Sequence, residues 1–398
     1  MLKEKEIRVF VSSSHLSTLL MILYAQERNP SAYKDILILD SPPKKASLIQ
    51  AIKGTRFLHD WAVVVDLSSV LTDGTEMVPG FRKSLTRKIK HWPIFKQLYG
   101  FLFSIKGKNR RRDEMKILSS QISPLGNVAE VNVLTQTFVN DSLVMLFPGA
   151  RVQHFEHGLG DAYFTEKSGG FGKIFYTIFN DCIQAEGRKH NRNFDYVKPL
   201  PGVERFRGIA ELAIEKNLSA GVAEKLRSVS GRVVIILLES MQIFEVPDHY
   251  YVDFLDLCLR QIPDPRNYTF ILKPHPAQTF RSLQDSKRHL EDFYKVRTVE
   301  LSSSAEMSFS VEALYLIWEK QADYVFTAYS SSIFYISILY GGSSTKFYYA
   351  YNFFSNYLKR APKQFLDIYH GIGHLVEEVV SVHCVQMNDT PGQVGGTS

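Results

Sequence analysis

Tyr268-Thr269-Phe270-Ile271-Leu272, followed at once by Lys273-Pro274-His275-Pro276, is a short uncharged run stopped by two prolines. Such a run reads as a buried strand, and proline cannot donate to a sheet ladder, so the strand ends here. Upstream, Arg232 to Leu238 is a second, strongly apolar strand, with a helix from Tyr250 to Arg260 between the two. Downstream, Val311 to Lys320 reads as a helix, Tyr324-Val325-Phe326-Thr327 as a strand and Ile333 to Leu339 as an apolar helix. Strands that alternate with helices predict an α/β class and a parallel sheet covered by helices.

The same rhythm runs through the first part of the chain. Ile7-Arg8-Val9-Phe10-Val11 reads as a strand, Ser12-Ser13-Ser14 as a loop and His15 to Glu27 as a helix. Asp35 to Asp40, Trp61 to Asp66, Ser142 to Phe147 and Arg151 to Phe155 are further candidate strands. Pro199-Leu200-Pro201-Gly202 separates the two series and reads as a linker. The expectation is two facing Rossmann-like domains, residues 1–200 and 201–387, with a ligand cleft between them at the carboxyl ends of the strands. Residues 388–398 are polar and Gly-rich and predict a disordered tail.

Bulk properties narrow the classes. At 398 residues the chain has room for two ordinary domains. Hydrophobic residues at 45% and charged residues at 22% fit a globular chain with real cores, not a disordered one. The formal charge of +6 suits an acidic substrate, an anionic membrane surface or nucleic acid. Cys182, Cys258 and Cys384 are too widely spaced for a metal-ligand pattern or a disulfide framework, which points to a reducing compartment. Met1 to Arg8 is charged and leads into no signal-peptide pattern. Leu16 to Ala25 is apolar but too short to span a bilayer, so any membrane contact is expected to be peripheral.

Three loops could carry chemistry. In His154-Phe155-Glu156-His157-Gly158-Leu159-Gly160-Asp161, a carboxylate follows a strand and glycines allow close approach of backbone to a ligand. A carboxylate so placed can take a proton from a hydroxyl, and it can equally be an ordinary capping acid. In Lys273-Pro274-His275-Pro276, prolines fix the backbone on both sides of one imidazole. That imidazole can hydrogen-bond a phosphate, with Lys273 adding charge, or it can be the surface residue of a rigid turn. Tyr329-Ser330-Ser331-Ser332 opens a helix, where hydroxyls and N–H groups bind phosphate, or where a serine simply caps. No Walker loop, no G-x-G-x-x-G after a strand and no G-x-S-x-G elbow is present. The lack of an Asp-x-Asp clamp favours chemistry without a metal, and no cofactor is expected.

Taken in order, these loops resemble the motifs of the bacterial sialyltransferase superfamily of lipooligosaccharide sialyltransferases and capsular polysialyltransferases. Its D/E-D/E-G, HP and Ser/Thr-rich motifs read here as Glu156-His157-Gly158, His275-Pro276 and Ser330-Ser331-Ser332. Phe155 before the acid, Gly160 after it and the run from Lys273 to Phe280 are also similar, so the resemblance spans roughly residues 150–335. It implies the GT-B architecture, a CMP-activated sialic acid as donor, a glycan acceptor and inversion without metal. Glu156 would be the general base and His275 the group at the CMP phosphate and candidate general acid. Ser330 and Ser331 would hold the phosphate, and Lys273, Pro276, Ser332 and Gly158 complete the candidate donor-binding set. His157 stands where the family usually has an acid, which leaves CMP-Kdo or another CMP-nonulosonate as alternative donors. A non-catalytic nucleotide- or glycan-binding protein on the same scaffold is the other alternative.

Residues 81–112 carry eleven basic residues and no acid, with aromatics interleaved. The stretch can bind a polyanionic acceptor, lie on the inner face of a bacterial membrane, or be a solvated basic loop. Arg82, Lys83, Arg87 and Lys88, with His15 and His157, are the candidate acceptor contacts. No nucleic-acid-binding motif supports nucleic acid as a partner. The expected location is cytoplasmic, peripheral on the inner membrane face.

Overall fold

The computed structural model describes residues 5–28, 30–40, 52–67, 112–134, 139–156, 174–189, 194–218, 220–239, 249–275, 280–303, 306, 309–341, 344–357 and 384–387. The chain divides into two compact units, residues 1–157 with 172–175 and residues 158–171 with 176–398.

The first sheet holds seven strands: β1 Glu6–Ser12, β2 Tyr33–Leu39, β3 Trp61–Asp66, β4 Val128–Leu134, β5 Arg151–Phe155, β6 Ile174–Thr177 and β7 Val197–Pro199. Their spatial order is β3-β2-β1-β4-β5-β6-β7. Strand β1 pairs in parallel with β2 and β4, β2 with β3, and β4 with β5. Helices α1 His15–Glu27, α2 at residues 112–122, α3 Val139–Leu146 and α4 Asn180–Lys189 lie in this stretch of chain. The core on one face joins Ile7, Val9 and Val11 of β1 to Leu118, Ile122 and Leu143.

The second sheet holds six: β8 Arg232–Leu238, β9 Tyr268–Pro274, β10 Arg297–Glu300, β11 Ala322–Thr327, β12 Lys346–Tyr349 and β13 Val385–Gln386, in the order β10-β9-β8-β11-β12-β13. All of its pairings are parallel. Helices α5 Phe206–Asn217, α6 Ala220–Arg227, α7 Tyr250–Leu259, α8 Phe280–Arg288, α9 Val311–Trp318, α10 Ser332–Leu339 and α11 Tyr351–Tyr357 accompany it. Val233 to Ile236 of β8 are wholly buried, as expected of a central strand covered on both faces. Each such side chain stabilises the fold by roughly 1.5–3 kcal/mol. Val234, Ile236, Phe270, Leu272 and Phe326 point to one face and pack on Tyr250, Phe254, Leu283 and Phe354.

Both sheets run outward in one direction from their first strand and then restart beside it. The points where the order reverses lie between β1 and β4 and between β8 and β11. At such a switch the loops leaving neighbouring strands diverge and open a crevice at the carboxyl ends.

The expected elements recur with shifts of one to two residues at their ends, with one exchange. Ser142 to Phe147, expected as a strand, lies mostly in helix α3. The strand before it is β4, whose polar Glu130 and Asn132 break the apolar run. Both are buried because β4 is central. Glu130 accepts from Tyr24, Arg151 and Gln153, and Asn132 donates to the Val9 carbonyl at 3.3 Å. The Pro199–Gly202 stretch ends β7 and turns, with Gly202 at φ 76°, a left-handed conformation that glycine adopts without strain.

At the amino ends of β1 and β2 lies a buried ion pair. Arg8, 0% exposed, contacts both Asp35 oxygens at 2.7 Å and donates to the Ala25 and Arg28 carbonyls. His59 Nε2 lies 2.7 Å from the same carboxylate. Burial pushes the Asp35 carboxyl up, but the His59 and Arg8 hydrogen bonds outweigh it and hold it below the usual carboxylate range.

Candidate functional site

In the second unit, three loops leave adjacent strands within one residue of the same level. Leu238 is level with Pro274, and Leu237 with Thr327, so Glu239 and His275 leave at one level and Ala328 one residue before it. Strand spacing sets neighbouring backbones about 5 Å apart, so the three loops begin within about 10 Å. The His275 N–H donates to the Leu238 carbonyl at 2.8 Å, which ties the proline-flanked turn to β8. Its ring is exposed.

Glu239, 4% exposed, was not among the sequence candidates, and it organises the serine loop. Its Oε1 accepts from the Thr327 hydroxyl and from the N–H groups of Ala328, Tyr329 and Ser330 at 3.0, 3.1 and 3.2 Å. Ser330 N also donates to Thr327 Oγ1 at 2.9 Å. The carbonyl of Glu239 accepts from the Tyr251 hydroxyl at 2.6 Å. Burial pushes the Glu239 acid up, against the hydrogen bonds from Thr327 and the loop amides.

Lys273, 7% exposed, points away from the face that Leu272 lines. Burial brings its ammonium down to about 8, partly offset by the Glu312 and Glu306 carboxylates. Glu312 lies in the first turn of α9, where an acid complements the helix dipole. Burial raises it, and hydrogen bonds with Ser332 and Ser310 and the Lys273 charge oppose the rise. Glu312 is thus acted on by both Ser332, through a hydrogen bond, and Lys273, through its charge. Glu306 is held low despite burial by Lys225 and Ser303, with Lys225 Nζ at 2.6 Å. The second carboxylate of this set, Glu312, also escaped sequence reasoning. Its only local sign is an acid two residues after the capping Ser310.

In the first unit Glu156 follows β5 directly and is 3% exposed. Phe155 before it packs edge-on against Tyr24 at 4.9 Å, which anchors the end of the strand. Another loop at this carboxyl edge, after β1, is Ser12-Ser13-Ser14. Ser14 caps α1 by accepting from Ser17 N at 3.1 Å, and Ser12 Oγ lies 2.6 Å from Thr18 Oγ1. His15 opens α1 as a buried residue, and burial lowers its pKa to about 4, so it is a neutral imidazole.

Gly158, His157, Pro276, Arg82, Lys83, Arg87 and Lys88 lie outside the described residues, as do residues 81–111 and the 388–398 tail. Arg112 opens α2. Among the described residues no group of three or more His, Cys, Asp or Glu side chains is placed to hold a metal ion. No described helix is long and apolar enough to cross a membrane.

No family model matches the sequence, and no curated protein matches it. Solved structures are similar in fold. The S. aureus MnaA–UDP co-structure is 8% identical over 94% of this chain and 88% of its own, with a TM-score of 0.52. UDP-GlcNAc 2-epimerase from Neisseria meningitidis bound to UDP-GlcNAc is 8% identical over 96% of this chain and 94% of its own, with a TM-score of 0.51. The chain has a GT-B type of fold. A sialyltransferase from Photobacterium damsela is 10% identical over 96% of this chain and 82% of its own, and its TM-score of 0.46 decides nothing about chemistry. The GT-B assignment agrees with two parallel sheets that share one strand order. At these identities it speaks for the fold alone, and the chemistry has to come from the residues.

Proposed function

We propose that this chain is a sugar-nucleotide enzyme, specifically an inverting, metal-independent glycosyltransferase that moves sialic acid from CMP-sialic acid to a glycan acceptor. The observation that carries the reading is the edge of the second sheet. There His275 and the serine loop leave β9 and β11, the strands on either side of β8, at the carboxyl edge that holds the switch point between β8 and β11, where a Rossmann unit takes a nucleotide.

In this reading the bond from the sugar to phosphate breaks with oxocarbenium character, and CMP leaves as an anion. His275, Lys273 and the Ser330 and Ser331 hydroxyls favour that charge. Glu156, at the end of β5, takes the proton from the acceptor hydroxyl as it attacks. The acceptor is a growing capsule polysaccharide or a lipooligosaccharide. The basic residues 81–112 supply its contact or that of the inner membrane face.

A donor screen tests this. CMP-sialic acid, CMP-Kdo and UDP- and GDP-sugars are offered, and nucleotide release is followed with and without chelator. CMP release from CMP-sialic acid that survives chelation is the expected result. Turnover of CMP-Kdo alone would change the sugar, and strict metal dependence would end the proposal. Turnover of UDP-sugars alone would favour a second reading, a UDP-sugar enzyme, to which the MnaA–UDP and epimerase folds draw attention. Glu156→Gln is expected to lower transfer by about 10²-fold or more while CMP affinity is kept. Unchanged turnover would remove Glu156 as the base.

A further inference from the structure

Glu239 directly follows β8, with a carboxyl that serves no ion pair among the described residues. One oxygen takes the Thr327 hydroxyl and three consecutive amides from the loop after β11. The other, Oε2, is buried and has no partner among the described residues. An apolar side chain would fill this space with less desolvation, so packing alone does not explain an acid here. What the acid does is fold Ala328, Tyr329 and Ser330 inward around a single acceptor. The next amide, Ser331 N–H, makes no hydrogen bond among the described residues. It stands at the start of α10 with the Ser330 and Ser331 side chains half-buried.

We propose that Glu239 is a positioning residue for phosphate binding: it gathers the three amides behind the loop and so presents the Ser331 N–H and the Ser330 and Ser331 hydroxyls to the phosphate of a nucleotide. The proposal rests on the reading of the serine loop given under the proposed function. It does not require cytosine as the base. A carboxyl that holds the loop through one oxygen acts as a neutral acceptor, and burial favours that neutral form. Glutamine, which keeps an acceptor oxygen at the same reach, should then substitute for it, whereas alanine removes the acceptor from four donors at once.

The test measures CMP and UDP affinity by titration calorimetry for the wild type, Glu239→Gln and Glu239→Ala, with a melting temperature for each. Glu239→Ala is expected to weaken the nucleotide by about tenfold or more, and Glu239→Gln by no more than about threefold. A purely structural role would lower the melting temperature and leave both affinities near wild type, which overturns the proposal. So does a glutamine variant that binds as weakly as the alanine variant. Should Glu239→Ala not fold, Glu239→Asp withdraws the oxygen by one methylene and is expected to weaken binding comparably, with wild-type affinity again overturning the idea. A wild type that binds UDP and not CMP sinks the CMP-donor reading while the Glu239 comparison is decided on UDP. A wild type that binds neither overturns both.

Discussion

Replacing Lys273 by methionine separates the energetics of the buried charge from everything else that titrates. The ammonium is 7% exposed beside Glu312 and Glu306, and burial brings it from 10.5 to about 8. In the unfolded chain the same group keeps its proton to 10.5. Between these values the unfolded chain binds the proton and the folded chain does not, so stability rises with pH. The full span is worth about 3 kcal/mol, and the part between pH 7.5 and 9.5 about 2 kcal/mol. Below pH 8 both states are charged and Lys273 adds no slope. Urea unfolding of the wild type and Lys273→Met at pH 7.5, 8.5 and 9.5 reads this directly, because tyrosines and other groups titrate alike in both proteins. The wild type should gain about 2 kcal/mol on the variant across that window. Parallel curves would refute the claim that Lys273 is a buried, partly compensated cation. The charge also bears on the ligand: wild-type CMP affinity should fall as pH rises through 8, and the variant's should not.

Two further outcomes concern the first unit. His15, buried and lowered from 6.5 to about 4, makes the fold lose up to about 3 kcal/mol as pH falls from 6.5 to 4, because there the unfolded chain binds the proton. Chemical unfolding of His15→Gln should lack that loss, and an equal loss would show that His15 is not its source. Arg8→Met leaves the Asp35 carboxylate buried with His59 as its remaining side-chain partner, and should cost about 3–5 kcal/mol in urea unfolding. A cost below about 1 kcal/mol would mean the pair contributes little.

Much of the fold is legible because it is local. Arg232–Leu238, Trp61–Asp66 and the helix His15–Glu27 announce themselves as largely apolar runs with clear ends, and the structure keeps those bounds. The loops at the strand ends follow from the same pattern, which is how His275 and Ser330 to Ser332 stood out. β4 did not, because Glu130 and Asn132 sit in it. Only the neighbours Tyr24, Arg151, Gln153 and Val9, each more than twenty residues away, make those polar groups tolerable in a core.

The amino-acid sequence by itself determined the α/β class, the alternation of strand and helix, and the residue types at the ends of β5, β9 and β11. These follow from short-range periodicity and from proline and glycine. Tertiary structure alone decided which strand ends are neighbours. Glu239 reaches the amides of residues 328–330 because β8 and β11 pair although some ninety residues separate them. Ser332 reaches Glu312 because α9 and α10 pack on each other, and the Lys273 charge acts on the same carboxyl from β9. Desolvation then sets the charge of each group, and burial is a property of the packed core that no single stretch of sequence contains.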